Sequence, residues 1–183
     1  MEPSPSFADL LHAWRDFYTL LGGASATLVG LLFVAASIGS GNFREEHRDP
    51  LGSFLTPTVV NFSVVLFACI LACAPSQSWR SSGCLLGASA LAGAAYSARI
   101  FFRLVVRRQY HVGLGDRMFY AAIPTLGYII LLIAAALLLR QSPLGADMAA
   151  AALLVLLFAG IRNAWDMTIW TVTKSPPGSA PSK

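Results

Sequence analysis

Arg162 and Asp166 stand one helical turn apart in the run Gly160-Ile161-Arg162-Asn163-Ala164-Trp165-Asp166-Met167, which closes an otherwise apolar segment beginning at Met148. At a spacing of i, i+4 a cation and an anion can pair along one helix face. Asn61, Arg99, Arg103, Thr125 and Asn163 place further charged or hydrogen-bonding groups inside apolar segments. Ionisable groups buried in lipid are costly, so they pair, meet water or reach the interface, and they are the first candidates for an ion or solute path. A ring of such arginines contributed by several subunits would attract small anions. Two structural alternatives stand beside this. Asp166 can bridge to Arg99 or Arg103 and lock two helices together, or the arginines snorkel to the cytoplasmic interface with Trp165 and Trp170 as belt residues.

Other chemistry finds little support. His12, His47 and His111 all fall in expected tails or loops, so two facing imidazoles at one depth are not available to a haem. The sequence has no HExxH, no GxSxG and no phosphate-cradling glycine loop, so no enzyme, metal site or cofactor is expected. Cys69 and Cys73 are spaced i, i+4 and Cys84 opens the next segment. Buried free thiols are the expectation, with a Cys73 to Cys84 disulfide across an outer turn as the alternative.

The elements that must position these residues follow from composition. The chain has 183 residues, 56% hydrophobic and 12% charged, against the roughly 45 to 50% and 25% of a soluble domain. Five long apolar segments run from Phe17 to Ile38, Phe54 to Ala74, Ser82 to Val106, Met118 to Leu139 and Met148 to Thr171. Each is near the roughly 20 residues that cross a bilayer core. The expected fold is an all-α integral membrane protein: tail and amphipathic helix over 1–16, a five-helix bundle over 17–171, and a disordered cytoplasmic tail over 172–183 rich in Pro, Ser and Gly. Met-Glu-Pro lacks the basic region of a cleaved signal peptide, so the first span is expected to remain.

With five spans, Arg15, Arg80 and Arg140 fall on one side and the other ten basic residues on the opposite side. The positive-inside rule then places the amino terminus outside and the carboxyl terminus in the cytoplasm of a bacterial inner membrane. The net charge of +4 is accounted for by this face and by anionic lipid, so no nucleic-acid partner is expected. By the rise of about 1.5 Å per residue, Asn61, Thr125, Arg162, Arg99 and Asp166 lie roughly 3 to 11 Å from the cytoplasmic edge, in one layer. Pro57 and Pro124, expected in the first turns of spans two and four, each leave a carbonyl without its helical donor, at Ser53 and Tyr120.

Phe7, Leu10, Leu11 and Trp14 share a face of the amino-terminal helix, and Ser6 and Asp9 are spaced as a capping box. This helix either lies on the outer surface or runs into span one. Gly-Ala-Ser-Ala occurs at 23–26 and 87–90, and Pro-Thr at 57–58 and 124–125, which suggests two copied hairpins plus a fifth helix. Gly22, Ala26 and Gly30 recur every four residues, a spacing that lets helices approach closely inside one subunit or between two.

Residues 14–37, WRDFYTLLGGASATLVGLLFVAAS, resemble the opening of a group of small bacterial multi-span membrane proteins, and RNAWDMTIW at 162–170 resembles their closing helix. The group is functionally uncharacterised, its members sometimes labelled modulators of a membrane protease, and it carries no site residues over. The residues themselves lead first to a homo-oligomeric channel or small-solute transporter, with anions as cargo. The alternative is a non-conducting regulatory or assembly subunit for another membrane protein.

Overall fold

In a computed structural model the chain forms five α-helices, with no strand among the described residues, which are 6–40, 48–106 and 122–174. The helices are α1, Phe7–Ser40; α2, Arg48–Cys73; α3, Trp79–Val106; α4, Ile123–Leu139; and α5, Leu144–Lys174. Each covers one expected apolar segment, while the proposed start of span four at Met118 and most of the proposed tail lie outside the described residues.

Local chemistry explains the ends. At the start of α1 the Ser6 hydroxyl accepts from the Asp9 amide at 3.2 Å and the Asp9 carboxylate accepts from the Ser6 amide at 3.3 Å, the reciprocal capping expected from the sequence. Ser78 and Ser81 repeat the arrangement before α3, at 2.9 and 3.2 Å. At the end of α4, Ser142 donates to the Leu137 carbonyl and Gln141 to the Leu138 carbonyl. This paired bonding is a Schellman motif, and it holds Gln141 at φ 58°, a left-handed conformation usually given to glycine.

Four helices close a ring in which α2 packs on α3, α3 on α4, α4 on α5 and α5 back on α2. Helix α1 stands outside, against α2, and touches α5 only lightly. Of the expected two hairpins plus a fifth helix, α1–α2 and α3–α4 pair along the chain and α5 joins α4 to α2, which leaves α1 outside the ring. Glycines set the tight contacts. A Cβ on Gly22 would lie 2.9 Å from Cys69 Cβ, and one on Gly160 would lie 2.5 Å from the Phe62 ring. Beside Gly22, the Ser25 hydroxyl donates to the Phe62 carbonyl at 2.7 Å and ties α1 to α2.

The amphipathic segment at the amino terminus is continuous with α1, so it is no separate surface helix. Its apolar face turns onto the end of the ring. Phe7 is buried against Trp79 at the start of α3, ring centroids 4.6 Å apart. Leu10 and Leu11 line an apolar crevice there with Leu138, Ala146 and Ala149.

All five helices also expose large apolar side chains: Leu20 and Phe33 on α1, Phe67 and Ile70 on α2, Leu91 on α3, Ile129 and Ile133 on α4, and Phe158 on α5. Two helices hold stretches long and apolar enough to cross a bilayer, Phe7–Ser37 and Leu144–Asp166; Pro57–Cys73 and Ile123–Leu139 are shorter apolar runs.

Candidate functional site

The centre of the ring is filled by Phe62, Val65, Tyr128, Leu131, Leu153 and Leu156, each under 2% exposed. Toward the ends of the helices nearest Pro57 and Asn163, the buried side chains become polar. Tyr128 crosses from α4 to α2, where its hydroxyl donates to Asn61 Oδ1 at 2.8 Å with both residues buried. It has room because α3 carries Gly93 at that height; a Cβ there would sit 2.5 Å from Tyr128 Cζ. One turn further on, the hydroxyls of Ser97 on α3 and Thr125 on α4 lie 2.8 Å apart.

On the other side of the ring α5 runs antiparallel to α2, with Gly160 against Phe62. Three residues beyond Gly160 comes Asn163, fully buried, and four before Phe62 comes Thr58, also fully buried. At about 1.5 Å per residue these four helices bring Asn61 and Tyr128 into one layer, and Thr58, Ser97, Thr125 and Asn163 into the next. Among the described residues the layer contains amides and hydroxyls and no charge.

The charged residues expected to share it are elsewhere. Arg99 and Arg162 are exposed on α3 and α5, and Asp166 is half-buried. Asp166 pairs with Arg162 on its own helix, as the i, i+4 spacing allows. The expected bridge from Asp166 to Arg99 is not made, because α3 and α5 occupy opposite corners of the ring. The side chain of Arg103 lies outside the described residues.

Two further expectations are revised. Helix α2 starts at Arg48, so Pro57 lies inside the helix and not in its first turn. Pro124 does sit at the first turn of α4, and Tyr120, whose carbonyl it was expected to leave open, is outside the described residues. Of the cysteines, all three are free, and only Cys69 is buried; Cys73 and Cys84 are exposed.

The small-residue stripe also divides. Gly22 faces α2, whereas Ala26 and Gly30 are exposed, with no atom within 4 Å of a Cβ on Gly30. The inward face of α1 runs instead through Tyr18, Leu21, Ser25 and Leu32. Sequence reasoning passed over Tyr128, Ser97 and Gly93. A lone tyrosine in the middle of the apolar run 123–139 was the available signal, since a buried hydroxyl needs a partner.

Among the described residues no group of histidines, cysteines and carboxylates is placed to hold a metal ion. Compared with family models, with curated proteins and with solved structures, the chain matches none.

Proposed function

We infer that all five helices lie in a bilayer and that the protein is a non-conducting assembly or regulatory subunit, which meets a helix of another membrane protein through the outer face of α1. The membrane reading is supported by large apolar side chains exposed on every helix, since a soluble monomer rarely exposes so much apolar surface. Lipid solvates it without cost. The orientation with the amino terminus outside the bacterial inner membrane rests on the three-to-ten division of basic residues.

One observation carries the functional reading. Ala26 and Gly30 lie open on the one helix that stands outside the ring, rimmed by Leu20, Leu31 and Phe33. In lipid, helices associate through close backbone approach at small residues. A partner helix can therefore approach closely here, whereas the outward faces of α2, α4 and α5 carry bulkier side chains such as Phe67, Ile133 and Phe158; on the ring only α3 shows a comparable run of exposed small residues among those described, Ala88, Ala92 and Ala95.

The channel reading retains one point in its favour, the exposure of Arg99 and Arg162. A conduit would have to form between subunits, because the centre of each ring is packed with apolar side chains. The two arginines stand on opposite corners of one ring, so a conduit would take both only where α3 of one copy meets α5 of the next.

The test is Gly30→Leu against Gly22→Leu, with complexes drawn from the native membrane and weighed by mass spectrometry. Gly30→Leu should release a heterologous partner and leave the bundle intact. Gly22→Leu should destabilise the chain itself, because its Cβ meets Cys69. A particle made only of copies of this chain, with conductance in planar bilayers, would instead establish the channel.

A further inference from the structure

We propose that the Asn61 amide holds an internal water molecule beside Tyr128 and Pro57. Asn61 is 3% exposed, and its Oδ1 already accepts from the Tyr128 hydroxyl. Its Nδ2 is buried and makes no hydrogen bond within the described residues. That nitrogen carries two N–H donors. A buried donor without an acceptor is unfavourable enough that such groups in proteins nearly always have a partner, very often water.

The matching acceptor lies on the same face of α2. Pro57, four residues before Asn61, has no N–H, so the carbonyl of Ser53 lacks its helical donor. Side chains in a helix lean toward its amino terminus, which tilts Asn61 over the Pro57 turn. Proline also keeps that turn from closing fully. The Tyr128 oxygen, having given its proton to Asn61, still has lone pairs.

Water fits this set better than an ion. It can accept from Asn61 Nδ2 and donate to the Ser53 carbonyl or the Tyr128 oxygen, giving the two to four partners that an internal water requires. A cation would meet the amide hydrogens, and an anion would meet the carbonyl. Of the charged groups described at this end, Arg99 and Arg162 are exposed, and the half-buried Asp166 is paired with Arg162.

The site is tested by hydroxyl-radical footprinting with millisecond X-ray pulses on the full chain in lipid nanodiscs, read by mass spectrometry. Radicals formed from a bound water label the side chains beside it. Tyr128, 1% exposed, should be labelled, whereas Phe62, equally buried on another face of α2, should not. Asn61→Leu should abolish the Tyr128 label, and Pro57→Ala, which returns a donor to Ser53, should reduce it. An unlabelled Tyr128 in the wild-type chain would overturn the proposal without any variant. So would a Tyr128 label that persists unchanged in the folded variants.

Discussion

Adding one methyl group at Gly93 should destabilise the bundle more than any other single methyl on the inner face of α3. The new Cβ would stand 2.5 Å from Tyr128 Cζ and 2.8 Å from Cδ1, inside van der Waals contact. Tyr128 cannot swing aside freely, because it is buried and its hydroxyl is bonded to Asn61 at 2.8 Å. Overpacking of this kind costs about 1–3 kcal/mol, and pulling the hydroxyl away from Asn61 forfeits about 1 kcal/mol more. Against this, alanine is the better helix former by about 1 kcal/mol. The net loss is therefore about 2 kcal/mol, or roughly 4–8 °C in thermal midpoint for a chain of this size. Gly87→Ala is the control on the same helix: its Cβ would meet Ala135 at 3.5 Å, an ordinary contact, so it should be neutral or stabilising. Thermal unfolding in detergent with an intrinsic fluorescence readout measures both. In a Tyr128→Leu background the Gly93→Ala cost should largely vanish, since the ring it strikes is gone. A midpoint for Gly93→Ala at or above wild type, or an equal loss in the Tyr128→Leu background, would refute the placement of Gly93 under Tyr128.

Gln141→Gly should raise the thermal midpoint, because a side chain held at φ 58° costs about 1–2 kcal/mol that glycine does not pay; a lower midpoint would mean that the turn after α4 has another geometry. Arg99→Ala and Asp166→Ala should be additive in stability, their helices being on opposite corners of the ring, and a double-mutant cycle giving a coupling beyond about 0.5 kcal/mol would contradict this. Arg162→Ala and Asp166→Ala should couple, weakly, as partly exposed pairs do.

The helices were legible because each is a run of apolar residues bounded by turn chemistry. Ser6 with Asp9 marks the start of α1 in the sequence itself. What periodicity could not fix is which helix lies outside. Helix α1 is as apolar as its neighbours, and only its contacts with α2 reveal that Ala26 and Gly30 are left open. The same limit separated Gly22 from the rest of its stripe: four-residue steps drift around a helix that turns every 3.6 residues, so the packed face passes from Gly22 to Ser25. The polar layer was half legible. Asn61, Thr125 and Asn163 are uncharged and can be buried once bonded, so their positions in apolar runs pointed inward. Arg99 and Arg162 sat at similar depth in the sequence, but depth along an axis says nothing of direction around it. Charge resolves the ambiguity physically, since an arginine inside so tightly packed a ring would lack both bulk solvent and a counter-ion.

The central claim is that five helices cross one bilayer, and topology reporters fused after Gly41, Ser76, Gly113, Ser142 and Lys183 test it most directly in a bacterial host. Alternation is the predicted result: cytoplasmic signals at Gly41, Gly113 and Lys183, and periplasmic signals at Ser76 and Ser142. Reporters at Ser142 and Lys183 on the same side, or a chain recovered wholly in the soluble fraction, would contradict it.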